Sequence, residues 1–315
     1  MRFLTVFSLI LIVFSSCSNN KSGEITVTIA EQYGLAYAPL QIVKEKQFIE
    51  DQLPGIKVNW VRLGNTAAIR EAILGGKVDI GFMGIPPFLI GWDKGMEWKI
   101  FTGLSKAQIG LVTWRDDINS LADFGPDDRI ALPQPGSIQH ILLSMAAQKQ
   151  LGQSDIFDNQ LVTMKHPDGM SALLSRRDVA AHFTSPPYIM MELSEPDMKL
   201  VLNGKEAMGG DFTFIAGMVT DKFSTKHPDI LSTVSSAIAR AGGVIRDKPE
   251  EAVAILKKEY SIPDATLLSY LTEGGLVYSD DVEGLDKFIE FMKAEGYIER
   301  TPENMDEILI RQDNK

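Results

Sequence analysis

The chain carries four histidines, His140, His166, His182 and His227, and they are the first place to look for chemistry. None stands at a metal-ligand spacing. His166 and His227 each precede a proline, which places both in surface turns. No Gly-x-Ser-x-Gly elbow, P-loop or Gly-x-Gly-x-x-Gly fingerprint is present. Asp168 and Asp211 are isolated and read as solvated or capping acids. His140 and His182 could hydrogen-bond a ligand, although a structural histidine with its own partners is the commoner outcome. No catalytic residue, metal or cofactor is therefore expected.

What remains is binding chemistry, and it gathers where strands give way to helices. These loops hold Gln32, Tyr33 and Tyr37, then Gly64, Asn65 and Thr66, then Met83, Gly84 and Ile85. Further on come Gln134, Gly136, Ser137 and Gln139, then Thr184, Ser185 and Tyr188, with Phe212 and Phe214 beside a later strand. Gly64 and Gly136 permit close backbone approach, and Asn65, Thr66 and Ser137 can cap helices or turn hydroxyl and amide groups to a ligand. Capping or packing explains each residue singly; together they delimit a site. Lys165 is the only basic residue among these loops, which argues against a strongly charged ligand such as phosphate held by guanidinium forks. Tyr33, Tyr37, Tyr188, Phe82 and Phe183 could sandwich a flat ring or cover an alkyl chain, the two Phe being better suited to the core. A sulfonate or carboxylate held by backbone amides stays compatible with this set.

The elements that must position these loops alternate between short β-branched runs and helical segments, the pattern of parallel α/β architecture. Strands are expected at Ile25–Ile29, Ile56–Leu63 and Val78–Phe82, with helices at Leu40–Ile49 and Thr66–Leu74 and a further helix opened by Pro86-Pro87. The same order recurs roughly a hundred residues later: strands at Arg129–Leu132, Leu161–Met164 and Val179–Phe183, a helix capped by Ser137, and a second proline pair, Pro186-Pro187. The halves read as two variants of one βαβαβ plan. After a strand at Phe212–Val219 the chain turns helical, over Pro228–Arg246, Pro249–Tyr260, Asp264–Thr272 and Val282–Glu295, with apolar residues three and four apart. If this tail packs on the first half, residues 24–107 and 210–315 form one discontinuous lobe and 108–209 the other. The chain then crosses between them near 105–110 and 204–211, and paired crossings make a hinge.

At the N-terminus Arg2 precedes an apolar run from Phe3 to Phe14, and Ser15-Ser16-Cys17 follows at once. Residues 1–16 read as a signal peptide, too short to span a bilayer as a permanent helix. Cys17 is the only cysteine, so it has no internal disulfide partner, and the polar stretch 18–23 suits a flexible tether. The arrangement resembles a bacterial lipoprotein signal, with Phe14 departing from its usual aliphatic residue; that resemblance makes Cys17 the lipidated first residue of the mature chain. The protein would then be exported and held to a membrane by lipid. The formal charge of −11 over 315 residues argues against nucleic acid, whose backbone needs clustered Lys and Arg.

Three segments carry a wider resemblance: Tyr37-Ala38-Pro39-Leu40, Ala72-Ile73-Leu74-Gly75-Gly76-Lys77-Val78-Asp79-Ile80-Gly81, and Pro135-Gly136-Ser137. In this order, behind a lipoprotein signal, the chain resembles the substrate-binding proteins of ABC importers in the nitrate, sulfonate, taurine and thiamine-precursor group. The resemblance implies a type II periplasmic-binding-protein fold, with two Rossmann-like α/β lobes, a hinge, an interlobe ligand cleft and a helical C-terminal tail. It also implies a small organic ligand, sulfonate-like or heterocyclic, permease subunits as partners, and a monomer. Relatives of the same fold that act in cofactor biosynthesis, and receptors that signal rather than transport, are the alternatives.

Overall fold

The computed structural model describes residues 25–310. The expected signal peptide, Cys17 and the tether lie outside the described residues. The strands are β1 (Ile25–Glu31), β2 (Ile56–Arg62), β3 (Ile80–Met83), β4 (Trp98–Ser105), β5 (Gly110–Thr113), β6 (Ile130–Leu132), β7 (Leu161–Thr163), β8 (Ala181–Thr184), β9 (Lys199–Asn203) and β10 (Ile215–Thr220). They build two five-stranded sheets, ordered β2-β1-β3-β10-β4 and β7-β6-β8-β5-β9.

Each sheet has a parallel part and an antiparallel part. β1 runs parallel to β2 and β3, and β6 runs parallel to β7 and β8, as the repeated half-pattern requires. β10 is antiparallel to both β3 and β4, and β5 is antiparallel to β8 and β9. The purely parallel expectation therefore fails at the strands that carry the chain between sheets. β5 enters the second sheet straight from β4 and pairs there with β8 and β9, both antiparallel. β4, β5 and β9 were not among the sequence-assigned elements.

The local signals act largely as expected. Asn65 and Ser137 cap the helices Thr66–Leu74 and Ile138–Leu151, accepting from the backbone amides of Ala68 and His140. The helix expected over Leu40–Ile49 is two, Ala38–Lys46 and Phe48–Gln52, split at Gln47, whose φ is 52°. Pro86 and Pro87 occupy the first turn of Ile85–Asp93, whereas in the second half Pro187 stands before Tyr188–Leu193 as its cap. The return strand starts at Ile215, because Thr213 is taken by the tail: its hydroxyl donates to the Asp281 carbonyl at 3.0 Å and accepts from the Glu283 amide at 2.9 Å.

The tail covers the first sheet's side of the molecule. Helix Pro228–Asp247 buries Ile230, Val234, Ala237, Ile238, Ala241 and Ile245, a stripe at spacings of three and four. The chain end pairs with β4, the Ile100 amide donating to the Ile308 carbonyl at 2.9 Å and the Ile310 amide to the Ile100 carbonyl at 2.8 Å. The two crossings lie side by side: Phe214 donates to the Ser105 carbonyl and Gly204 to the Ile109 carbonyl, each at 2.8 Å. Among the described residues, no helix is long and apolar enough to cross a membrane.

Candidate functional site

The carboxyl ends of β1, β2 and β3 face those of β6, β7 and β8 across a narrow cleft. Its walls are Gln32, Tyr33, Tyr37, Gly64, Thr66, Gly84 and Pro87 on one side and Pro133, Ser137, Ile138, Gln139, His166 and Ser185 on the other, with Phe214 and Ile215 at the crossing. The lobes are shut. About 30 Å³ is enclosed, room for one to three waters by an order-of-magnitude measure of ~10–15 Å³ each.

Direct contacts hold the two walls together. The Leu35 amide donates to the Pro186 carbonyl at 2.9 Å, and the Ala67 amide donates to Gln134 Oε1 at 3.0 Å. Gly64 lies against the Lys165 stem, Gly84 against Ile138, and Gly136, at φ +76°, against Ile90. Larger residues at these glycines would meet the opposite wall.

The chemistry of the cleft is that of hydrogen-bond donors, with no Lys or Arg among the residues that line it. Helices Thr66–Leu74 and Ile138–Leu151 both begin at it, so two positive dipole ends converge, although the Ala67, Ala68 and His140 amides already donate to Gln134, Asn65 and Ser137. The Thr66 hydroxyl is buried and has no hydrogen-bond partner, an arrangement that costs free energy unless a ligand oxygen meets it. Tyr37 is fully packed, its phenol accepting from Gln32 Nε2 at 3.0 Å, and burial beside Glu31 raises its pKa well above the usual range.

Of the residues expected to bind, Gln32, Tyr33, Tyr37, Thr66, Gly84, Ser137, Gln139 and Ser185 line the cavity. Asn65 serves as a cap, and Met83 is wholly buried at the end of β3. Gln134 bridges the lobes, Thr184 approaches His166 Nδ1 at 3.3 Å, and Tyr188 stacks on the His166 ring at 5.7 Å. Phe212 stands outside the cavity wall; it packs edge-on against Phe288 of the tail.

Two residues near the cleft depart from the sequence reading. His166 is no surface residue: it opens the helix His166–Ser175, is 8% exposed and lines the cavity. Pro167 sits in that helix's first turn, where a missing amide costs nothing, so His-Pro marked a helix start rather than a turn. The scarcity of basic residues also needs amending. Arg62, at the end of β2, lies over the Tyr33 ring at 5.6 Å and is engaged by Glu31 and Glu259.

The chain matches the NMT1/THI5-like family over residues 35–252, more than half its length. It is 25% identical over 235 residues to an aliphatic sulfonates-binding protein of Escherichia coli (strain K12), covering 73% of this chain and 70% of that protein. Among solved structures, it resembles the alkanesulfonate-binding protein SsuA of Xanthomonas axonopodis pv. citri bound to MOPS, with a TM-score of 0.71 and 21% identity over 86% of this chain and 91% of that one. The periplasmic aliphatic sulphonate binding protein SsuA of Escherichia coli gives a TM-score of 0.71 and 19% identity, over 91% and 92% of the two chains. These likenesses fix the fold.

Proposed function

Because the chain belongs to the NMT1/THI5-like family, we propose that it is the exported solute-binding component of an ABC-type importer, and that its ligand is an organic anion with a sulfonate-like head. The relatives named above are binding proteins rather than enzymes. The observation that carries the choice of ligand is the donor set at the cleft: two helix N-termini and an unpaired, buried Thr66 hydroxyl. Oxygens of a sulfonate satisfy such donors, and Tyr33, Pro87, Ile138 and Phe214 supply apolar surface for its organic part. Solute enters as the lobes part about the paired crossings, with 24–107 and 210–315 as one body and 108–209 as the other. Permease subunits receive it, and Cys17 tethers the receptor, as a monomer, to the membrane outside the cytoplasm.

Calorimetric titration with 1-hexanesulfonate is expected to give saturable binding without turnover; binding of neutral heterocycles with none of sulfonates or carboxylates would sink the choice of ligand. Thr66→Val is expected to weaken binding about tenfold, the worth of one hydrogen bond, while leaving thermal stability unchanged or slightly raised. For the anchor, palmitate labelling of the expressed protein is expected to disappear in Cys17→Ser. Labelling that persists in that variant would remove the lipoprotein assignment.

A further inference from the structure

Behind the second lobe's wall lies a buried polar chain that binding of a solute by backbone amides does not require. Gln139 Nε2 meets His166 Nε2 at 3.2 Å, His166 Nδ1 meets His182 Nε2 at 3.3 Å, and His182 Nδ1 meets Glu192 Oε1 at 2.6 Å. His182 and Glu192 are completely buried, and only Gln139 and His166 reach the cleft. The chain is built in: a Cβ on Gly169 would come within 2.5 Å of His182 Nε2.

We propose that Glu192, held as a neutral acid, donates to His182 Nδ1 and so fixes His166 in the tautomer whose Nε2–H faces the cleft, making His166 a neutral donor to an anionic oxygen of the solute. The sequence of donors runs one way. Glu192 Oε1–H donates to His182 Nδ1, His182 Nε2–H donates to His166 Nδ1, and His166 Nε2–H is left for the cleft. As placed, Gln139 turns its Nε2 to His166 Nε2; the proposed tautomer requires the carboxamide turned end for end, so that with the cleft empty its oxygen accepts from that N–H. No proton leaves or enters, and Glu192 and His182 are positioning residues that act through His166.

Several features support the neutral acid. Glu192 Oε2 is buried with no hydrogen-bond partner, a heavy penalty for a carboxylate and a lighter one for an acid's carbonyl. Burial alone pushes the Glu192 pKa up to about 9 and the His182 pKa down to about 3. His166 is held well below the usual imidazole range, first by burial and then by its neighbour His182. No other charge intrudes among the described residues packed around the chain. β5 brings Gly110, Leu111, Val112 and Thr113, and Asp168 on the His166 helix is exposed. His140 on the Gln139 helix turns away to Asp158 at 2.9 Å. Lys165 lays its stem on Gly64, and Arg62 across the cleft is engaged by two glutamates.

The arrangement has a pH signature. An ionised Glu192 can only accept, so His182 would donate from Nδ1, His166 from Nδ1, and the His166 Nε2 lone pair would face the solute and repel it. Anion affinity is thus held below the Glu192 pKa and lost as pH rises through about 9. Glu192→Gln keeps a donor to His182 that cannot ionise.

This inference rests on the anion reading of the cleft, and the test separates the two. Ring-nitrogen NMR of the ligand-free wild type at pH 7 is expected to show His166 and His182 neutral and protonated at Nε2; His166 protonated at Nδ1 overturns the relay without any ligand. Titration with 1-hexanesulfonate is then expected to show at least a tenfold loss of affinity between pH 7 and 10 in the wild type and a flat profile in Glu192→Gln. Hexyl methyl sulfone, an uncharged acceptor, should show a smaller alkaline loss in the wild type and none in Glu192→Gln. The same alkaline loss in both proteins overturns the inference and leaves the anion reading standing. A wild type that binds no sulfonate at any pH sinks the anion reading, while the histidine spectra still decide the tautomer.

Discussion

Replacing Arg62 with methionine is expected to cost about 3 kcal/mol of stability at pH 8, close to the low end of what stripping one partner from a buried ion pair costs. Arg62 donates to Glu31 Oε1 from Nε at 3.2 Å and from Nη2 at 2.9 Å, and Nη2 also reaches Glu259 at 2.9 Å. The penalty falls on Glu31, only 2% exposed, while Arg62 itself is 30% exposed, so water entering the vacated space recovers part of the loss. Burial already raises the Glu31 pKa above its usual value even with Arg62 lowering it, and without Arg62 it must rise further. A carboxyl whose folded pKa is raised favours folding below its unfolded pKa and loses that contribution as pH climbs through the folded value. The deficit of Arg62→Met relative to wild type should therefore be small at pH 4 and full at pH 8, by urea unfolding at both. The double variant Glu31→Gln, Arg62→Met should recover most of it. A deficit equal at both pH values would mean that the packing of the arginine side chain matters, and the ionisation of Glu31 does not.

Arg62 also shows why part of this site was hidden in the sequence. Capping signals are local, so Asn65 and Ser137 could be read directly, and the helices Thr66–Leu74 and Asp264–Thr272 come out at their expected limits. The loops between strands and helices likewise announced most of the cavity wall. Long-range partners leave no local trace: Arg62 meets Glu259 nearly two hundred positions away, and His182 meets Glu192 only because a tight turn folds a short helix back onto β8. His166 was misplaced for a related reason. Its burial comes from Tyr188 and His182 packing on the ring, which the adjacent proline says nothing about. Phe212 lies outside the cavity wall because a residue far along the chain, Phe288 of the tail, packs on its ring. The antiparallel pairing of β10 and β5 was not legible because a strand's direction depends on where the chain has come from, not on its composition.

Gly34→Ala should abolish closure of the lobes while leaving each folded. Gly34 adopts φ 120° and ψ 160°, a conformation open almost only to glycine, and a Cβ there would stand 2.9 Å from the Pro186 carbonyl oxygen. That same oxygen accepts the Leu35 amide across the cleft at 2.9 Å, so an added methyl strikes the very contact that joins the two walls. The loop cannot retreat cheaply. Tyr260 donates to the Gly34 carbonyl at 2.9 Å and Tyr278 to the Leu35 carbonyl at 2.8 Å, and both phenols come from the C-terminal tail. The tail thus does more than cover apolar surface: it holds a cleft loop at the height where the opposite lobe meets it. Backbone strain of this kind costs on the order of 1–3 kcal/mol, a few degrees in melting temperature for a chain of this size. The loss of binding should be larger, about a hundredfold for 1-hexanesulfonate, because an open cleft leaves one wall's donors out of reach. Small-angle scattering distinguishes the causes. Wild type is expected to contract when the sulfonate is added and Gly34→Ala to keep the larger radius of gyration. If the variant contracts as wild type does, the Leu35–Pro186 contact is incidental to closure, and the lost affinity must be traced to strain in the Gln32 and Tyr33 loop.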